Sequence, residues 1–285
     1  RLLHGGHSGL SLPPTMRWTQ ILAAVGMVIV NGCADQPADD PVEPSPVAVP
    51  AFRAQPTPRP APVPTPVEQV TQIGLSTEQK PMLMYLFGPG DRPVLVMGGI
   101  HGNERNSSEC ASLFLEFVRH NPGQFAGISL AIIPAANPDG LERGVRVNAR
   151  RVDLNRNFPA ANWQASKFKG PYFGGPAAAS EPETAALVNA IIRLRPRRIL
   201  TIHSMPQPCD NYDGPAEALA RRMAELNGYP VTANIGYPTP GSLGSWAGID
   251  QHIPVITLEL PAPMPGAMCW QHNRDAIMAF VRGAD

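Results

Sequence analysis

The residues best suited to chemistry are His101 and Glu104, which sit three apart in the run Gly98-Gly99-Ile100-His101-Gly102-Asn103-Glu104. At that spacing an imidazole nitrogen and a carboxylate oxygen reach one cation when the loop bends into a following helix. Glycines before and inside the pair permit a tight backbone approach that a random surface segment does not need. A catalytic zinc site takes three protein ligands of the His and Glu type and leaves a fourth position open for water. The third ligand should come from another strand end. His203 fits, because the buried run Arg198-Ile199-Leu200-Thr201-Ile202 leads straight into His203-Ser204. A packing histidine is the competing reading of His203 taken alone. The other histidines fit worse: His4 and His7 precede the apolar leader, His120 ends a helix, His252 precedes a strand and His272 starts a helix.

Glu259 stands inside the otherwise apolar run Pro254-Val255-Ile256-Thr257-Leu258-Glu259-Leu260-Pro261. An unpaired buried carboxylate is costly. Glu259 is therefore either paired structurally or kept for general-base work with a raised pKa. Between the two metal segments runs a polar stretch from Asn137 to Pro159 that concentrates Arg143, Arg146, Arg150, Arg151 and Arg156. Such a cluster is either a solvated face or a reader of carboxylates, for which the guanidinium fork is suited.

These side chains need a scaffold of strand ends. Short apolar runs closed by Gly or Pro, at Met82–Phe87, Pro93–Met97, Ser129–Ile133, Arg198–Ile202 and Pro254–Leu260, read as buried strands. Helical patterns lie between them. Ser107–His120 carries Cys110, Phe114, Phe117 and Val118 on one face. Ser180-Glu181-Pro182-Glu183 has capping-box spacing and opens a helix that turns Leu187, Val188, Ile191 and Ile192 inward. Pro215–Leu226 is stopped by Asn227-Gly228, and Gln271–Arg282 by Gly283. The expected fold is a single α/β domain, with a mixed, mostly parallel central sheet flanked by helices.

That domain is expected to span residues 68–285, since the rest of the chain reads differently. Arg17 precedes the apolar run Ile21–Val30, and Asn31-Gly32-Cys33 follows, so residues 1–33 read as a leader and signal peptide. Val30-Asn31-Gly32-Cys33 resembles a lipoprotein cleavage site, which is the favoured reading; ordinary cleavage after Ala34 is the other. Residues 34–67 form a Pro-rich tether, holding eleven of the 34 prolines in the chain. The protein is thus expected to be exported, periplasmic or in the cell envelope, and lipid-anchored, touching membrane only through that anchor. No apolar run reaches the ~20 residues that span a bilayer. Lys and Arg together number 23, as do Asp and Glu, so net charge is zero and a strongly basic nucleic-acid binder is excluded. Cys110, Cys209 and Cys269 permit at most one disulfide, with the pair undetermined.

The motifs together resemble the zinc carboxypeptidases and, within them, the murein peptide amidase branch. The matching pieces are Gly-Gly-Ile-His101-Gly-Asn-Glu104, Asn137-Pro-Asp-Gly140, Asn148 through Phe158, Thr201-Ile-His203-Ser204, Tyr237 through Ser242, and Thr257-Leu-Glu259-Leu-Pro261. The resemblance implies one zinc ion held by His101, Glu104 and His203, with Glu259 as the general base. It implies Arg150 at the oxyanion, and Asn155 and Arg156 at the terminal carboxylate of the substrate. The chain departs from the digestive carboxypeptidases in having Asn103 where they carry Arg. It also lacks a Tyr shortly after Gly241-Ser242. These departures suit the amidase branch, whose substrate would be a small murein peptide such as L-Ala-γ-D-Glu-meso-diaminopimelate, cut before diaminopimelate. Asp213, in Cys209-Asp210-Asn211-Tyr212-Asp213-Gly214, is then a candidate for reading the second amino group; a loop cap for the next helix is the alternative. Rival readings are a general metallocarboxypeptidase, an N-acyl amino acid deacylase, and a wall-binding lipoprotein without turnover.

Overall fold

The computed structural model describes residues 68–165 and 170–283, so the expected leader and tether lie outside the described residues. In chain order the elements are β1 (Gln69–Leu75), β2 (Pro81–Phe87), β3 (Val94–Gly98), α1 (Arg105–His120), β4 (Leu130–Ile133), α2 (Pro138–Arg143), α3 (Pro182–Leu194), β5 (Arg198–Met205), β6 (Cys209–Asp213), α4 (Glu217–Asn227), β7 (Val231–Thr232), β8 (Val255–Pro261) and α5 (Gly266–Arg282). The strands make one eight-stranded sheet in the order β1-β2-β4-β3-β5-β8-β6-β7. Its centre, β4-β3-β5-β8, is parallel, while the β1-β2, β2-β4 and β8-β6 pairs are antiparallel. Every residue of β3 and β4 is buried, as expected for strands covered on both faces.

Alternation along the central strands splits the core in two. Val94, Val96, Leu200, Ile202, Ile256 and Leu258 pack under α1, α4 and α5. Leu95, Met97, Ile199 and Val255 face the other way, toward Leu187 and Ile191 of α3 and toward Leu154, Phe158 and Trp246. His203 and Glu259 continue this second set, because side chains two apart in a strand share a face. They emerge where the parallel strands end, the usual place for a site in such a sheet.

Some local expectations are corrected. Ser180 and Glu183 do not form a capping box: Glu183 instead accepts from the Thr77 backbone N–H at 2.7 Å and from Asn148 Nδ2 at 3.0 Å. The carboxylate thus ties α3 to the β1–β2 turn. Ile192 is 59% exposed, since the inward stripe of α3 runs through Ala186, Leu187, Ala190 and Ile191. Cys110, Cys209 and Cys269 are buried free thiols, so none of the three possible pairs is bridged.

Candidate metal centre

The loop leaving β3 turns on Gly99, at φ 70°, and delivers His101 and then Glu104, the residue that caps α1. Gly102 is required by contact. A Cβ there would lie 1.9 Å from the backbone carbon of Gly140. Asn137 holds the loop from the other side, donating from Nδ2 to the Ile100 carbonyl, while the Asn137 and Ala136 N–H groups reach Gly99 and Gly98. Asp139, buried behind this turn, accepts from Ser76 Oγ, Glu78 N–H and Lys80 Nζ. The Asn137-Pro-Asp-Gly140 piece therefore clamps the metal loop to the β1–β2 turn.

His203 closes the group from β5. His101 Nδ1 lies 2.8 Å from Glu104 Oε1, His203 Nδ1 lies 3.0 Å from Glu104 Oε2, and the two Nδ1 atoms are 3.1 Å apart. Zinc bonds of 2.0–2.1 Å in a tetrahedron imply ligand atoms ~3.3 Å apart, so this donor set fits the ion. Two imidazole nitrogens facing one carboxylate at these distances leave room for a cation better than for two protons. All three side chains are nearly fully buried. Burial works to raise the Glu104 pKa, but His101 and His203 hold it well below the carboxylate range. Burial likewise opposes the charge on His101, yet Glu104 and Asp153 raise it to about 9.

Asp153, which sequence reasoning left without a role, sits behind the ligands. Its Oδ1 is 3.0 Å from His101 Nε2, fixing the ring so that Nδ1 faces inward. Its Oδ2 accepts from Arg146 Nε at 3.0 Å. Arg146 also approaches Glu104 Oε1 at 3.5 Å, which puts this guanidinium at the metal group. Arg150 is the correction. Asn148 Oδ1 accepts from the Arg150 and Val152 N–H groups and folds the chain into a turn, which leaves the Arg150 side chain 57% exposed with Glu181 at 3.8 Å. The expected oxyanion arginine is outside the cavity, and Arg146 is inside it.

That cavity, about 420 Å³, is lined by all three candidate ligands and by Arg146, Asn155, Arg156, Asp213 and Glu259. Glu259 pairs with His203 across β5 and β8, and burial together with the charge of Glu104 raises its pKa to about 8. Asn155 Oδ1 accepts from the Leu243 N–H, and Arg156 donates to the Asn155 carbonyl. Arg156 is 6% exposed and has no carboxylate partner among the described residues. Asp213 ends β6 against Gly244 and Gly248, whose missing side chains give it space, and burial raises its pKa to about 6. Tyr172, which belongs to none of the matching motifs, and Tyr237, which opens one of them, also line the cavity. The remaining described histidines lie elsewhere: His120 and His252 are exposed, and His272 stacks on Tyr229.

A buried His-Glu-His group beside a carboxylate, at the ends of parallel strands, defines a metal-dependent hydrolase. Matching the family profile over residues 65–265, the chain belongs to the zinc carboxypeptidases, and its cofactor is one zinc ion. It is 34% identical over 183 residues to murein peptide amidase A of Escherichia coli K12, covering 59% of this chain and 70% of that one. The corresponding protein of Vibrio campbellii is 31% identical over 205 residues, covering 66% and 77%. A crystal structure of murein-tripeptide amidase from Escherichia coli O157 superposes with a TM-score of 0.62 at 29% identity, over 76% of this chain and 92% of that one.

Proposed function

We propose that the chain hydrolyses the amide preceding a C-terminal residue, namely the bond between γ-D-Glu and meso-diaminopimelate in small murein peptides. Its likeness to the murein peptide amidases supports that substrate. The observation that carries the reading is one cavity holding the His-Glu-His group, the buried Glu259 carboxylate and the Arg156 guanidinium, which has no salt bridge among the described residues. Held by His101, Glu104 and His203, zinc supplies Lewis-acid polarisation of water and of the scissile carbonyl. Glu259 takes the proton from the attacking water and returns it to the departing amine. Burial in the cavity pushes its pKa upward, which makes the carboxylate a stronger proton acceptor. Arg146, held from behind by Asp153, offers its guanidinium to the developing oxyanion. Asn155 and Arg156 hold the terminal carboxylate and so fix which amide is cut. Asp213 receives the second ammonium of diaminopimelate.

Export and a lipid anchor at Cys33 belong to the same reading, supported by the apolar run before Cys33 and the Pro-rich stretch after it. The test of the chemistry is Glu259→Gln. That variant should keep one zinc per chain and lose turnover of L-Ala-γ-D-Glu-meso-diaminopimelate by ~10²-fold or more. Unchanged hydrolysis would remove Glu259 from the mechanism, and N-acyl amino acid hydrolysis in preference to the tripeptide would favour a deacylase.

A further inference from the structure

One aromatic ring covers both guanidiniums of the cavity. Arg146 Cζ lies 5.0 Å from the Tyr172 ring centroid, and Arg156 Cζ lies 5.7 Å from it. Both fall within the ~6 Å at which a ring face attracts a cation. Tyr172 is 59% exposed, so its burial in the core does not account for its position. The backbone beside it is nevertheless fixed. Phe173 is buried, its carbonyl accepts from the Asp153 N–H at 2.8 Å, and a Cβ on Gly174 would meet the Arg156 carbonyl at 2.4 Å. The ring is therefore tied to the same turn that carries Asp153 and Arg156.

We propose that Tyr172 is a positioning residue that sets the carboxylate affinity of the site by holding Arg156 under its ring, while Arg146, beneath the same ring, is kept in place by Asp153. Resting on the roles given above to those two arginines, it explains how like charges share a narrow mouth. Arg146 has Asp153 and Glu104 as counter-charges in contact, whereas Arg156 feels the Asp153 charge at longer range and directly contacts the Asn155 carbonyl and this ring. The face of the phenol fixes the plane of each guanidinium, and once an anion is seated it screens that ion pair from water. A carboxylate paired in such a shielded place is held more strongly than one in open solvent.

Two measurements on the zinc-loaded full chain test this. Tyr172→Ala should raise KM for the murein tripeptide by about 5- to 30-fold, with kcat changed less than about 3-fold, and Tyr172→Phe should restore most of the loss. Calorimetric titration with N-acetyl-L-alanine, in the non-hydrolysing Glu259→Gln background, should weaken by a similar factor with Ala and recover with Phe. The carboxamide analogue, which lacks the anion, should respond to neither change. Equal loss in Ala and Phe, or equal loss with the carboxamide, would overturn the proposal, as would wild-type affinity in Tyr172→Ala. Were the wild type to leave the tripeptide uncut, the substrate reading would fall, while the titration would still report on Tyr172.

Discussion

A guanidinium beside a metal ligand serves a substrate only if something else holds it back from that ligand. Arg146 meets this condition, because Asp153 takes its Nε at 3.0 Å while Glu104 stays at 3.5 Å. Burial acts to raise the Asp153 pKa, yet His101 and Arg146 bring it down to about 2, so it stays ionised wherever the enzyme works. Arg146→Ala should then lower kcat on the tripeptide by ~10²-fold or more with zinc retained, a loss typical of one oxyanion donor. Arg150→Ala should stay within about 3-fold of wild type, since an exposed ion pair contributes little. Steady-state kinetics on the two variants decide between them, and the reverse order would return the role to Arg150. Residue types could not make this choice. Five arginines without periodicity present the same signal, and only the Asn148 turn determines which of them points inward. His203 and Glu259 were legible because each ends or interrupts an apolar run, and His101 and Glu104 because they stand three apart in the Gly-containing segment after one.

Among the elements, β6 shows where pattern reading stops. Cys209–Asp213 carries no apolar alternation, because one of its faces lines the cavity through Asn211 and Asp213 and the other meets a polar network. In that network Asn227 of α4 donates to Asp210 Oδ1 at 3.2 Å and to Asn273 of α5 at 3.1 Å. Asp210 Oδ2 has no hydrogen-bond partner among the described residues, and burial raises its pKa from 3.8 to about 7. A carboxyl group that keeps its proton in the fold but loses it when unfolded makes stability fall as pH rises. The effect is absent below the unfolded value, accumulates from about pH 4 to pH 7, and is constant above, reaching on the order of 4 kcal/mol. Asp210→Asn removes this term. Urea unfolding should show the variant gaining on wild type between about pH 4.5 and pH 7.5 by a few kcal/mol. A difference constant within about 0.5 kcal/mol would mean that Asp210 ionises freely in the fold.

For the whole molecule, register fixes which end of the domain meets the preceding chain. Gln69 pairs with Leu86, Phe87 with Leu130, and Leu130 with Val94, so β1 starts at the end where β3 begins. His101, His203 and Glu259 lie where β3, β5 and β8 finish, at the opposite end. The first strand therefore begins at the end of the sheet opposite the cavity. The alternation of strands and helices made the sheet readable, whereas export and the lipid anchor are proposals from the composition of residues 1–67 alone. Processing tests both. Produced in a bacterial host, the full chain should begin at Cys33 and carry diacylglyceryl and acyl mass by N-terminal sequencing and intact mass spectrometry. An unmodified N-terminus at Asp35 would overturn the anchor and leave an exported, soluble enzyme with the same active site.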